Sequence, residues 1–179
     1  MKYLLPIALV LSFGFSVFGQ ENKIFEKRPA PVFDVTSLEG KRFNSATLKG
    51  KVVVLNLWFV NCPFCVEEIK YLNQIVDEYK DNQDVVFIGM SSNDKARLEN
   101  FLRKNPFKYN IVPSAMMQIL NFGKPNTKGE IDIPFPVHIV IDRNGKIVVD
   151  ANGVKGVNAV KEELKRQFQP KDNKSKAAD

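Results

Sequence analysis

The sequence has few of the residues that bind metals or form structural cross-links. Its 179 residues include one histidine and two cysteines, Cys62 and Cys65. A structural zinc ion needs four such ligands, so no metal site is expected. A structural disulfide is a second interpretation, but a bridge that closes four residues stabilises a fold by only about 2 kcal/mol in the chain-entropy model. A redox-active cysteine pair is the interpretation that best fits the spacing.

A large excess of charge of one sign is also absent. Lysine and arginine number 26 against 20 acidic residues, a formal net charge of +6. No basic stripe alternates with aromatic residues, so nucleic-acid binding is not expected. Residues 170–179 carry several lysines and no large apolar side chain, and they are predicted to form a disordered tail. With 44% hydrophobic residues, the rest of the chain can form the core of one domain.

Long apolar runs are missing except at the N-terminus. Lys2 precedes a mostly apolar run over residues 3–18, and the small residue Gly19 follows it. This pattern predicts a secretory signal peptide over residues 1–19. An uncleaved anchor is the alternative, although the run is shorter than the roughly 20 residues that span a bilayer comfortably. After a polar linker over residues 20–28, the mature protein is expected in the periplasm or another extracytoplasmic compartment, where disulfides persist.

Hydrophobic patterns predict one α/β domain with a mixed sheet over residues 29–169. Predicted strands cover residues 32–35, 41–43, 52–59, 84–90, 107–112, 137–141 and 146–149. Predicted helices cover residues 65–79 and 95–104, a short turn within 115–120, and a closing segment around residues 157–168. The first two strands form an N-terminal hairpin, and Asn144-Gly145 predicts a hairpin between the last two. Ser91 or Ser92 is expected to cap the second helix.

The two cysteines lie where a buried strand passes directly into a helix. Cys62 is predicted at the helix N-cap, with Pro63 at the first helical position, where its missing N–H costs nothing. Free backbone N–H groups and the helix dipole stabilise a thiolate there, so Cys62 is predicted to be the nucleophile, with its sulfur in solvent. Cys65, one turn later and facing inward, is predicted to be the resolving thiol that releases the partner.

Several ordered motifs support a family resemblance. They are the run over residues 50–58, Cys62-Pro63-Phe64-Cys65, Glu67-Glu68-Ile69, the strand before Ser91, and Pro136 leading into residues 141–146. This set resembles the TlpA/ResA-like branch of the thioredoxin superfamily, which is related to the AhpC/TSA peroxiredoxins. The resemblance implies a thioredoxin fold, with a central mixed sheet flanked by helices and an N-terminal β-hairpin extension. It also implies a thiol-disulfide oxidoreductase that needs no cofactor.

The resemblance implies further site residues. Pro136 matches the family's cis proline, which faces the cysteines, while Pro134 is the alternative assignment. A cis X-Pro bond exposes backbone that can pair with a substrate peptide, so Phe135 is predicted to bind substrate beside Pro136. Pro63 and Phe64 are expected to contact substrate as well. Trp58 matches an aromatic residue near the family's active site and is therefore expected to contact substrate, although it also suits the core at a strand end.

Three polar residues require separate interpretation. Asn56 stands where many thioredoxins have a buried carboxylate that moves protons. Glu68 matches a glutamate common in this branch and is a candidate for proton transfer, although its position also suits an exposed helix residue. His138 is interpreted as a hydrogen-bonded strand histidine rather than as a catalytic one.

The predicted function is dithiol-disulfide exchange with extracytoplasmic proteins that carry cysteine thiols or disulfides. The protein is expected to act as a reductant that receives electrons from a membrane donor, because Pro63 and Phe64 add no positive charge beside the thiolate and the resemblance implies reduction. The alternatives are a thiol peroxidase, a glutaredoxin-like reductase that uses glutathione, and a redox-inert binding module. Phe59 stands where peroxiredoxins usually have threonine, which disfavours peroxidase chemistry. Residues 114–133 contain more loop than the fold needs and are predicted either to select partners or to form a neutral surface excursion.

Overall fold

The computed structural model describes residues 27–169. The predicted signal peptide and tail, and all but two residues of the predicted linker, lie outside this range. The strands are β1 (Arg28–Pro29), β2 (Asp34–Thr36), β3 (Arg42–Asn44), β4 (Val52–Trp58), β5 (Val85–Ser91), β6 (Asn110–Val112), β7 (Lys124–Pro125), β8 (Ile131–Asp132), β9 (Val137–Ile141) and β10 (Lys146–Asn152). The helices are α1 (Pro63–Glu78), α2 (Lys95–Leu102), α3 (Met116–Phe122) and α4 (Gly153–Phe168).

Six strands form a mixed sheet in the order β1-β10-β9-β4-β5-β6. The strands β4, β5 and β6 run parallel, whereas β9 runs antiparallel to β4, and β10 antiparallel to β9. All seven residues of β4 are buried, as expected for a strand with sheet neighbours on both sides and helices or loops over both faces. The predicted central mixed sheet is therefore confirmed, with β4 near its middle.

Side chains of β4 alternate between two layers of core. Val53, Leu55 and Leu57 face α3 and the β2–β3 hairpin, which is the N-terminal hairpin predicted from the sequence. Val52 and Val54 face the other side, where Leu72 of α1 and Leu164 of α4 cover them. At the end of β4, Trp58 packs with Leu98 of α2 and Ile111 of β6. The end of β4 is therefore held on both sides, which fixes the point where α1 begins.

The structure differs from the prediction at the N-terminal edge of the domain. Arg28, predicted as the last linker residue, pairs with Ile147 as part of β1. Its guanidinium Nη2 lies 3.1 Å from Asp150 Oδ2. A strand of two residues has no hydrophobic period of its own, so the pattern could not reveal it.

Smaller differences occur around α2 and in the predicted loop. Asp94, not Ser91 or Ser92, caps α2, because its carboxylate accepts a hydrogen bond from the Arg97 N–H at 2.8 Å. The predicted loop contains the short hairpin of β7 and β8. Among the helices of residues 27–169, none is long and apolar enough to cross a membrane.

Candidate active site

The active-site helix begins with the cysteine motif. Cys62 is the N-cap of α1 in an extended conformation, and Pro63 occupies the start of the helix. The Cys65 backbone N–H donates to Cys62 Sγ at 3.2 Å. The sulfur of Cys62 therefore receives a hydrogen bond at the positive end of the helix, the arrangement that stabilises a thiolate once the pair is reduced.

The cysteines are joined as a disulfide, with an S–S distance of 2.08 Å. The sequence places the Cys62 sulfur in solvent, but Cys62 is only 4% exposed in this oxidised form and Cys65 2%. The cysteines pack in a cluster with Trp58, and the partly buried ring of Phe135 lies against that cluster. That packing covers Cys62 and corrects the expectation of an exposed sulfur. Phe64, between the cysteines, is 67% exposed.

The predicted cis proline is present. The Phe135–Pro136 peptide bond is the cis bond within residues 27–169, which supports Pro136 over Pro134. The Pro136 carbonyl accepts a hydrogen bond from the Gly153 N–H at 3.2 Å, so the start of α4 holds this segment. The ring of Phe135 meets that of Phe59 edge-on, with centroids 5.2 Å apart. Phe135 thereby joins the proline segment to the loop that leads into Cys62.

Trp58 does not reach the surface. Its side chain is fully buried, and its ring stacks on Phe107 with centroids 4.6 Å apart and lies tilted against Phe101 at 5.6 Å. The structure therefore corrects the expectation of a direct substrate contact by Trp58. The residue acts as a core aromatic that anchors the strand end immediately before the cysteine loop.

Glu68 is buried, contrary to the interpretation of an exposed helix residue. It is 2% exposed and lies on the buried face of α1 together with Cys65, Ile69 and Leu72. Its Oε2 is 2.8 Å from Nε2 of His138, which is completely buried in β9. The sequence contained the signal, because residues three or four apart share a helix face and Cys65 faces inward. A charged side chain on a helix is normally solvent-exposed, so the pattern alone leaves both interpretations open.

A second polar contact, partly buried and missed by sequence reasoning, lies nearby. Asn56 Nδ2 donates to the Tyr109 hydroxyl at 2.9 Å. Burial raises the pKa of Tyr109, the hydrogen bond from Asn56 opposes that shift, and the charge of Glu68 adds to it. Asn56 and His138 are direct neighbours across β4 and β9.

Asn93 is another residue that the sequence did not single out. Its side-chain Oδ1 accepts a hydrogen bond from the Val60 N–H at 2.7 Å. Its carbonyl accepts one from the Ser114 N–H at 2.8 Å. Asn93 therefore ties the loop before Cys62 to the start of α3. Met116 and Met117 there are 42% and 71% exposed, which places exposed apolar side chains at the same end of the molecule as Phe64.

Known proteins share both the sequence and the architecture. The Redoxin family model matches residues 26–165. Thiol-disulfide oxidoreductase ResA of Bacillus cereus is 30% identical over 167 residues, which are 89% of this chain and 92% of that protein. ResA of Bacillus thuringiensis is 30% identical over 150 residues, or 83% of this chain and 82% of that protein.

Two solved structures extend the comparison to the fold. A thiol:disulfide interchange protein of the thioredoxin family from Chlorobium tepidum has a TM-score of 0.65 at 24% identity, over 79% of this chain and 97% of that chain. The thioredoxin domain of a Bacteroides vulgatus thiol-disulfide oxidoreductase has a TM-score of 0.60 at 24% identity, over 76% and 96%. The predicted thioredoxin fold is thus confirmed. The chain therefore belongs to the redoxin family, and it is a ResA-like thiol-disulfide oxidoreductase of the thioredoxin superfamily.

Proposed function

We propose that the protein reduces disulfides of extracytoplasmic proteins through Cys62 and Cys65. The observation that carries the proposal is the position of Cys62 at the N-cap of α1, with the Cys65 N–H directed at its sulfur. In the reduced protein, the Cys62 thiolate attacks a substrate disulfide and forms a mixed disulfide. Cys65 then attacks Cys62, the intramolecular disulfide forms, and the substrate leaves with two reduced cysteines.

Substrate contact is proposed for the surface around the cysteines. Pro63 and Phe64 are exposed at the helix start, and the cis Phe135–Pro136 bond belongs to the segment that packs beside the disulfide. An extended substrate peptide would pair with this backbone, while the ring of Phe64 covers apolar residues next to the substrate cysteine. Glu68 is proposed to take up the proton that Cys65 loses before it attacks.

The direction of electron flow is argued from the surroundings of Cys62. A strongly oxidising pair needs a thiolate stabilised by more than a helix start. Pro63 and Phe64 add no positive charge, and the acidic residues Glu67 and Glu68 follow closely. The thiolate is therefore stabilised only moderately, which suits a reductant. Reduction of the Cys62–Cys65 disulfide would require an electron donor with access to the extracytoplasmic compartment. A membrane dithiol protein is the proposed donor.

Export is proposed from the apolar N-terminal run, which lies outside the described residues. Removal of the signal peptide near Gly19 would release the domain into the extracytoplasmic space. N-terminal sequencing of the exported protein is expected to begin at or close to Gln20. Recovery of intact Met1 in the soluble exported fraction would contradict cleavage.

The proposal is tested by trapping substrates. A Cys65→Ser variant keeps the attacking thiol and loses the resolving one, so mixed disulfides with substrates are expected to accumulate. They are isolated from the extracytoplasmic fraction and identified by mass spectrometry before and after reduction. Cys62→Ser is the matched control, since it has the same overall composition and lacks the nucleophile. Equal trapping by both variants, or none by Cys65→Ser, would contradict the proposal.

A further inference from the structure

His138 holds Glu68 in a closed interior site. Nε2 of His138 is 2.8 Å from Glu68 Oε2, and neither side chain is more than 3% exposed. Helix α4 closes over the imidazole at Gly156, where an added Cβ would lie 2.6 Å from His138 Cδ2 and 2.8 Å from the Ala151 carbonyl oxygen. The imidazole therefore fills space that any side chain at position 156 would occupy.

Burial makes each of the two side chains depend on the other for its polar contact. An isolated carboxylate in the protein interior costs free energy. A partner that donates a hydrogen bond or carries the opposite charge offsets that cost. A Glu68 carboxylate beside a neutral imidazole carries one negative charge. One added proton, on the carboxylate or on the ring, would cancel that charge.

Two polar atoms beside the pair lack a hydrogen-bond partner in the described part of the chain. Within residues 27–169, His138 Nδ1 and Asn56 Oδ1 have no hydrogen-bond partner. The two residues are opposite each other on β9 and β4, although these two atoms do not hydrogen-bond each other. The other titratable groups around the pair are Tyr109, which hydrogen-bonds Asn56, and Cys65 on α1. Helix α4 contributes an uncharged glycine, Gly156, at the ring.

Cys65 is the thiol closest in sequence to this pair. It precedes Glu68 by three residues on the same buried face of α1, and side chains with that spacing are neighbours on a helix. Cys65 must lose a proton before it can attack the mixed disulfide. Because it is buried, it has little access to solvent as a proton acceptor.

We propose that His138 is a positioning residue for the resolving step: it fixes the Glu68 carboxylate toward Cys65 and shares the proton that Cys65 releases. This inference rests on the proposed function. The Cys65 S–H transfers its proton to the Glu68–His138 pair, and the sulfur electron pair attacks Cys62 Sγ. The Cys62–Cys65 bond forms as the bond from Cys62 to the substrate sulfur breaks. The substrate leaves as a thiolate and takes up a proton from solvent.

The first test uses the wild-type protein, in which His138 is the single histidine. Its ring nitrogens are followed by ¹⁵N NMR between pH 5 and 9, once with the disulfide intact and once reduced. If the pair exchanges a proton with Cys65, the pH dependence of the imidazole signals is expected to differ between the two redox states. Identical ring signals in both states across this range would overturn the proposal.

The second test measures the resolving step in a His138→Gln variant. Glutamine keeps a donor for Glu68 but binds no proton, so closure of a preformed mixed disulfide is expected to be roughly tenfold slower at pH 7. The rate should recover at higher pH, because hydroxide then removes the Cys65 proton in place of the pair. A rate lowered equally at every pH, or unchanged, would overturn the inference. Ile139→Val, on the opposite face of β9, is the control, with an expected unchanged pH profile.

These outcomes are separable from the proposed function. Insulin reduction by the wild-type protein tests the proposed activity, and its absence would remove the reductase assignment. The NMR comparison requires only that the disulfide can be reduced chemically, so it decides the role of His138 in either case.

Discussion

Cys62 and Cys65 differ in their place on α1, although both are nearly buried in the disulfide. Cys62 caps the helix and accepts the Cys65 N–H, whereas Cys65 lies within the first turn on the face that packs on the sheet. After reduction, the helix start stabilises the thiolate of Cys62, and nothing comparable serves Cys65. The asymmetry between two identical side chains therefore comes from backbone position.

This asymmetry predicts the order of alkylation. Brief treatment of the reduced protein with iodoacetamide at neutral pH is expected to label Cys62 roughly tenfold faster than Cys65, because the helix start stabilises the thiolate of Cys62. Peptide mapping by mass spectrometry measures both rates. The Cys62→Ser and Cys65→Ser variants provide the rate of each thiol alone. Faster labelling of Cys65 would reverse the assigned roles.

Individual residues show where sequence reasoning succeeds. The spacing of Cys62 and Cys65 and the position of Pro136 suffice to predict the helix cap and the cis bond, because both depend on local sequence and family resemblance. The burial of Glu68 depends on a partner 70 positions away, His138. A charged side chain is normally exposed, so the spacing from Cys65 indicates the buried face, but the tertiary pairing is what identifies the partner of Glu68.

At the scale of elements, the β7–β8 hairpin forms a separate two-stranded sheet outside the central six-stranded sheet. Its turn is held by Asn126, whose side-chain oxygen accepts hydrogen bonds from the N–H groups of Lys128 and Glu130 at 2.8 and 3.1 Å. A cleft of about 320 Å³ separates the hairpin from Pro134, Val137 and the end of β10. The hairpin therefore borders the segment that leads into the cis proline.

Shortening this hairpin is expected to change partner selection. Replacement of residues 126–130 by Asn-Gly keeps β7 and β8 joined by a tight turn and removes the protruding tip. In the Cys65→Ser background, the set of trapped proteins is expected to change, because the surface beside the proline segment is altered. Reduction of a small aromatic disulfide by the otherwise wild-type chain should stay within about twofold, since the cysteines are untouched.

The matched control is Lys128→Ser, which leaves the length of the turn and its backbone hydrogen bonds unchanged. It is expected to trap the same proteins as the parent chain. If the shortened chain also traps that same set, the hairpin is a neutral surface excursion.

Elements differ in how well the sequence predicts them. The strands β4, β5 and β9 and the helices α1 and α4 have long apolar runs or stripes, and their pattern alone predicts them. The strands β1, β7 and β8 have two residues each and form only because a neighbouring strand supplies hydrogen bonds. Their existence is a tertiary effect, which periodicity cannot report.

At the scale of the whole molecule, the chemistry is concentrated at one end of the sheet. The strand β4 ends there before Cys62, β9 begins after Pro136, and α3 and α4 both start there. Exposed apolar side chains of Phe64, Met117 and Val154 belong to elements that begin at this end. One end of the fold therefore combines the disulfide with apolar surface suited to a peptide.

The direction of exchange is a property of the whole pair in its surroundings, and the reduction potential measures it directly. The purified domain is equilibrated with glutathione or dithiothreitol buffers of defined potential, and the fraction of Cys62–Cys65 disulfide is determined by alkylation and mass spectrometry. With only a helix start to stabilise the thiolate, a value near that of thioredoxin, about −270 mV, is expected. A value near −120 mV, typical of the most oxidising exchange proteins, would contradict the assignment as a reductant.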